Sequence, residues 1–338
     1  MMRLPWFGFH APSSVGEAAR ILAAEGPDAM LIAGGTDLLP NMKRRHQTPK
    51  TLVSLRHVQA LRRSSNGIGL TLGSGMTLSE VVATPAVREN YRALWEAAAQ
   101  IATPQLRNMG TLGGNLCLDT RCTYYNQNHE WRKAIDFCMK KDGEICWVAT
   151  ASKRCLAMSS TDTAPALIAL GAKVELVSAQ GEREVPLEAL YKNDGIDYLT
   201  RRADEILTEV RVPQGWTSSY WKLRRRGAFD FPVLGVAAAV KLETDGTVAE
   251  ARLALGAAAS RPFLVEKAGQ FLEGRQLTDE VIAEAGAIVA SRAKPMDNTD
   301  LDLYWRKDVA AAFVGYALRE IRGDDMRATR LRIARQAL

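Results

Sequence analysis

"IAGGTDLLPNMK" occupies Ile32 to Lys43: an apolar run stops at the glycine pair Gly34-Gly35, and a threonine and an aspartate follow at once. Glycines permit positive φ and let successive backbone N–H groups converge with no side chain in the way. Such a concavity suits an anion, and the Thr36 hydroxyl adds a donor. A second turn, "RNMGTLGGN" (Arg107 to Asn115), repeats the pattern with Thr111 in the matching place. One glycine turn is more often a plain tight turn. Two, each following apolar secondary structure, point to a pyrophosphate-bearing nucleotide. The usual fingerprints are absent, since "GSGMTL" (Gly73 to Leu78) lacks the third glycine of the Rossmann pattern and no P-loop lysine follows a glycine run. A nucleotide reading therefore needs a different fold.

Working outward, Ser13 or Ser14 caps a helix bearing Ala18, Ile21 and Leu22, and Gly26 stops it. "AMLIAGG" reads as a buried strand, "TLVSLRHV" and "IGLTLGSG" as strands, and "TLSEVVATPAV" as a helix opened by a capping box from Thr77 to Glu80. "YRALWEAAAQIA" has helical periodicity. "TDTAPALIALGAKVELVSAQGEREVPL" reads as helix, strand, turn, strand, and "ADEILTEVRVP" as a strand closed by Pro213. From Tyr220 the text changes to three strands with a hairpin signal at Asp245-Gly246. Helices follow in "FLVEKAGQFLEG", "TDEVIAEAGAIVASRA" and "YWRKDVAAAFVGYALREI". The chain is thus α+β, with a boundary near 215–220.

The 338 residues suit two or three modest domains, and 44 basic against 38 acidic residues leave a net charge of +6. Lys43-Arg44-Arg45 and Arg224-Arg225-Arg226 read as solvated faces rather than nucleic-acid surfaces. The N-terminal text has no signal-peptide run, and "FPVLGVAAAV" (Phe231 to Val240) is too short to span a bilayer. The expectation is a cytoplasmic chain with no membrane and no nucleic-acid partner.

All five cysteines fall between Cys117 and Cys155, at intervals of x₄, x₁₅, x₇ and x₈. A reducing cytosol and an odd count argue against disulfides. The segment, with its "TYYNQNHEWRK", has few aliphatic residues to build a core, so a metal site would hold it in shape. Incidental buried thiols, a Cys₄ zinc without its usual C-x₂-C knuckles and an iron–sulfur cluster all remain open on spacing alone. His129 reads as a solvated histidine.

"LIAGGTDLLPNMK", "LRNMGTLGGN", "TDTAPALIALGA", "ADEILTEVRVP" and "KLRRRGAFDFPVLGVAAAV", in this order, resemble the FAD-binding subunits of the molybdenum hydroxylases, the family of xanthine dehydrogenase. The C-terminal "MDNTDLDLYWRKDVAAAFVGYAL" resembles that family's closing domain, whose Tyr-Arg step corresponds to Tyr304 and Arg306 with one residue inserted. The resemblance implies a two-part FAD-binding domain of the p-cresol methylhydroxylase type over 1–217, with lobes 1–56 and 57–217. A small α+β domain with a three-stranded sheet and helices follows over 218–338. It also implies that Ala33, Gly34, Gly35, Thr36, Asp37 and Leu38, with Gly110, Thr111, Gly113, Gly114 and Asn115, wrap the FAD diphosphate. Asp162 would accept from ribose or adenine-side hydroxyls, although Ser159-Ser160 replaces the family's Ser-Pro before it. Ile206 and Leu207 would flank the cofactor. Lys222 would stand near the isoalloxazine ring, where a cation stabilises reduced flavin.

In most of the family "GTLGGNL" runs almost directly into the counterpart of "STDTAPALIAL"; here a cysteine-bearing insertion, about 117–156, intervenes. It resembles that of the 4-hydroxybenzoyl-CoA reductase group, which implies a [4Fe-4S] cluster on Cys122, Cys138, Cys146 and Cys155, with Cys117 left over. The implied partners are a molybdopterin-binding large subunit and a [2Fe-2S] small subunit in a dimer of heterotrimers, with reduced ferredoxin as donor. The chain would then be an oxidoreductase subunit that carries electrons and has no catalytic residues of its own. The alternative is a flavin subunit sending electrons outward to NAD or a quinone, with the insertion a metal-braced docking module.

Overall fold

The computed structural model describes residues 3–334; residues 1, 2 and 335–338, at the outer ends of the two expected domains, lie outside the described residues. The first lobe contains β1 (Gly8–His10), α1 (Val15–Glu25), β2 (Ala29–Ile32), α2 (Leu38–Lys43) and β3 (Thr51–Ser54). Its sheet is parallel with order β1-β3-β2. Ser14, not Ser13, accepts the capping bond from the Glu17 N–H, and Gly26 ends α1 with φ of 68°. Ala18, Ala19 and Leu22 then pack on Val53 and on Ile206 from the second lobe. Strand β2 is only buried at Ala29, contrary to the fully buried strand expected, because it lies at an edge of a narrow sheet.

The second lobe contains β4 (Ser64–Asn66), β5 (Gly69–Gly73), α3 (Leu78–Ala83), α4 (Pro85–Asn90), α5 (Arg92–Ala99), α6 (Pro104–Arg107) and α7 (Leu112–Leu116). It continues through α8 (His129–Ala134) in the insertion, then α9 (Thr163–Ala169), β6 (Lys173–Ser178), β7 (Gly181–Pro186) and β8 (Ile206–Pro213). The five-stranded sheet has order β4-β5-β8-β6-β7. The capping box at Thr77 and Glu80 is formed, and both of its hydrogen bonds are present.

The last region contains β9 (Thr217–Leu223), β10 (Leu234–Leu242), β11 (Val248–Gly256), β12 (Phe263–Leu264), α10 (Glu266–Leu272), α11 (Asp279–Arg292), α12 (Leu303–Arg322) and α13 (Arg327–Ala334). The sheet has four strands, not three: Phe263 and Leu264, expected in a helix, instead pair with Leu255 and Ala254 along the edge of β11. Strand β10 is buried on both faces, as its unbroken apolar run requires. Ala237 and Ala239 join the second-lobe core, while Val236, Ala238 and Val240 join the core under the C-terminal helices. Each fully buried valine contributes about 1.5–3 kcal/mol. On the second-lobe side the approach is close, because a Cβ on Gly256 would stand 2.9 Å from Pro165 Cγ. The whole is the α+β arrangement expected, a two-part domain followed by a small sheet-and-helix domain. Among the described residues no helix is long and apolar enough to cross a membrane.

Candidate cofactor cradle and cysteine cavity

The two glycine turns meet. A Cβ on Gly34 would stand 1.8 Å from the Met109 carbonyl oxygen, so only glycine allows the first turn to lie against the second. Gly35 takes φ of 69° and turns the chain into α2. From Ala33 to Asp37, no backbone N–H has an acceptor among the described residues. Five consecutive free donors beside a helix start can hold an anion of diphosphate size. The second turn is differently built. Thr111 caps α7 by accepting from the Gly114 N–H, and the Gly110 and Gly113 N–H groups bond to Leu106 and Ser74. Its glycines serve close approach, since a Cβ on Gly113 would stand 2.7 Å from Ser74 Cβ.

The other expected cofactor residues have internal partners. Asn115 Oδ1 accepts from the Thr161 and Thr163 hydroxyls and from the Thr163 N–H, which fastens the segment before α9 to the second turn. Asp162 lies at the start of α9, 2% exposed. Its carboxylate accepts from Tyr220 Oη at 2.8 Å and from Lys222 Nζ at 2.9 Å. A ribose hydroxyl would have to share or displace one of these donors. Burial pushes the Asp162 carboxyl up and the Lys222 ammonium down, and the contact between them opposes both shifts. Ile206 packs into the first-lobe core and Leu207 into the second-lobe core. Tyr220 was missed by sequence reasoning, because one hydroxyl on a buried strand carries no pattern.

Cys122, Cys138, Cys146 and Cys155 line one small cavity, walled also by Tyr124, Tyr125, Met139, Trp147 and Val148. Cys117 stands apart against the second-lobe core, and all five thiols are free of disulfides. The turn bearing Cys138 has left-handed backbone at Asp136, Phe137 and Asp142, and Gly143 closes it where a Cβ would stand 2.8 Å from the Cys138 nitrogen. Burial raises the Cys122 thiol to about 12 and that of Cys155 to about 11. Backbone N–H groups of Tyr124 and Tyr125 act the other way on Cys122, and the Ala157 N–H donates to Cys155 Sγ at 3.4 Å. Among the described residues no three His, Cys, Asp or Glu side chains form a group that could hold a metal ion. His129 is exposed beside Glu130 and does not line the cavity.

The cradle and the cavity are joined by residues that the sequence did not single out. The buried Arg121, adjacent to Cys122, forms an ion pair with the half-buried Asp37 of the first turn and donates to Asn41 Oδ1 at 3.0 Å. The Asp119 N–H donates to Asp37 Oδ2 at 3.4 Å. A basic residue beside a cysteine was the one legible sign of this link.

Residues 5–215 match the FAD binding domain in molybdopterin dehydrogenase, and residues 218–321 match the CO dehydrogenase flavoprotein C-terminal domain. The carbon monoxide dehydrogenase medium chain of Hydrogenophaga pseudoflava is 28% identical over 319 residues, 93% of this chain and 96% of that one. The aldehyde oxidoreductase FAD-binding subunit of Escherichia coli (strain K12) is 31% identical over 293 residues, 82% of this chain and 90% of that one. The structure of the Hydrogenophaga pseudoflava carbon monoxide dehydrogenase superposes with a TM-score of 0.77 at 28% identity, covering 94% of this chain and 98% of that one. With the first match alone spanning well over half of its length, this chain belongs to the family of FAD-binding subunits of molybdopterin dehydrogenases.

Proposed function

We propose that this chain is the electron-transfer flavoprotein subunit of a molybdenum-containing 4-hydroxybenzoyl-CoA reductase, taking electrons from reduced ferredoxin. The observation that carries the proposal is the convergence of Cys122, Cys138, Cys146 and Cys155 on one cavity tied to the glycine cradle. FAD supplies one- and two-electron chemistry, and a [4Fe-4S] cluster one-electron chemistry. The N–H run from Ala33 to Asp37 would hold the FAD diphosphate. Gly34 and Gly35 would let the turn close, with Thr36 and Leu38 at its edge. Gly110, Thr111, Gly113, Gly114 and Asn115 would complete the wrap around it, Asp162 would accept from ribose or adenine-side hydroxyls, Lys222 would stand near the isoalloxazine ring, and Ile206 and Leu207 would flank the cofactor. The four thiolates would hold the cluster, with N–H donors to the Cys122 and Cys155 sulfurs stabilising their charge.

A molybdopterin-binding large subunit and a [2Fe-2S] small subunit, two of each in a dimer of heterotrimers, would carry the substrate chemistry and the remaining relay. A second reading is favoured by the relatives' names, which include carbon monoxide and nicotinate dehydrogenases. In it the flavin sends electrons outward to NAD or a quinone, and the insertion is a metal-braced docking module. Anaerobic purification followed by elemental analysis separates the two. The proposal expects FAD with about four irons and about four acid-labile sulfides per chain; yellow protein containing zinc and no sulfide would rule it out.

A further inference from the structure

Lys140 is the one charged side chain among the described residues that line the cysteine cavity. It is 6% exposed at the side chain, and its ammonium donates to Asp119 Oδ1 at 2.8 Å, Thr120 Oγ1 at 2.7 Å and the Gly195 carbonyl at 2.6 Å. An ammonium has three protons, so every donor is engaged and the group is fixed in place. The rings of Tyr125 and Tyr198 lie 4.8 and 5.6 Å from it and exclude water. Gly195 permits this arrangement, since a Cβ there would stand 2.7 Å from Cys155 Sγ. The counter-charge, Asp119, is 4% exposed and is not part of the cavity wall. The Lys140 charge acts on the Cys155 thiol, drawing it down against the effect of burial.

We propose that Lys140 is a positioning charge that sets the reduction potential of the cluster held by the four thiolates. The inference rests on the [4Fe-4S] reading above. A cluster with four thiolates is an anion that gains one further negative charge when a reductant such as ferredoxin delivers one electron. A fixed cation at the wall favours that reduced form, and the low-dielectric setting made by Tyr125 and Tyr198 strengthens the effect. Lys140 touches no reacting atom; it acts through the field at the sulfurs.

The test is a reductive titration of the full 338-residue chain, purified without air and followed by electron paramagnetic resonance, for wild type, Lys140→Met and Asp119→Asn. Lys140→Met leaves the Asp119 carboxylate uncompensated, and the midpoint is expected to fall below wild type. Asp119→Asn leaves the ammonium uncompensated, and the midpoint is expected to rise. A purely structural role would not separate the two variants by sign. Shifts in the same direction, no shift in either, or loss of iron and sulfide from the isosteric Asp119→Asn variant would each overturn the inference while leaving the cluster reading intact. Wild-type protein lacking iron and sulfide would overturn both.

Discussion

Lys222 and Asp162 are held together where water does not reach, at 0% and 3% side-chain exposure. Removing one member of such a pair leaves a buried charge without compensation. Lys222→Met is expected to destabilise the chain by about 3–5 kcal/mol, read as a drop in the urea midpoint. The double variant Lys222→Met/Asp162→Asn should cost less than the sum of the two single changes, because it removes the orphaned charge as well. His46 is a second residue whose surroundings decide its behaviour. Burial, and then the nearby Arg132, lower its pKa from 6.5 to about 4, and its ring stacks on Tyr125 with centroids 4.2 Å apart. The unfolded chain takes up this proton near pH 6.5 and the folded chain only near 4. Protons therefore favour unfolding in between, and this contribution to stability falls as pH drops from about 6.5 to about 4. His46→Phe keeps the stack and removes the titration, so its stability should decline less than wild type between pH 7 and pH 5 when both are measured by denaturant unfolding.

Between elements, the link from α2 to the insertion is the one most open to test. Arg121 and Asp37 hold the segment bearing Cys122 against the first glycine turn, and Arg121 also meets Met158 through two backbone hydrogen bonds of 2.8 Å. Arg121→Met keeps the backbone bonds and removes the charged ones, each worth about 1.5–3 kcal/mol. The expected result is faster proteolytic nicking between residues 122 and 155 and weaker FAD retention, both measured against wild type; unchanged cleavage would count against the link. Local signals were readable for most elements. The Thr77 capping box, the Gly26 stop and the Asp245-Gly246 turn are properties of neighbouring residues, and each formed as expected. Strand β12 and helix α13 were not readable. Phe263 and Leu264 are extended because the edge of β11 accepts them, and α13, rich in arginine, gains its helix by packing Ile333 into the C-terminal core.

At the scale of the whole molecule, α5 of the second lobe is joined to the C-terminal domain by four charges. Glu96 and Glu320 are 5% and 6% exposed; Arg92 bonds both, and Arg330 pairs with both while its guanidinium lies 4.1 Å from the Trp221 ring centroid. Burial raises the Glu96 carboxyl, whereas at Glu320 burial is outweighed by hydrogen bonds from Arg330 and Ser219. Arg330→Met leaves two buried carboxylates sharing one arginine. It should cost about 3 kcal/mol and make the C-terminal domain unfold ahead of the rest, visible as a second transition in thermal melts.

The α+β class, the paired glycine turns, the family and the grouping of the thiols could all be read from the chain alone, because each depends on residues close together in sequence. Which glycine turn keeps its N–H groups free could not be read in this way. That depends on the Ser74 and Leu106 carbonyls reaching the N–H groups of the second turn, while no acceptor among the described residues reaches those of the first. Nor could the partners of Asp162, Lys222 and Lys140, which come from residues 20 to 122 positions away. Charge pairing in a dry interior follows from which backbones are packed side by side, and that is settled only when the sheets and the insertion close on one another.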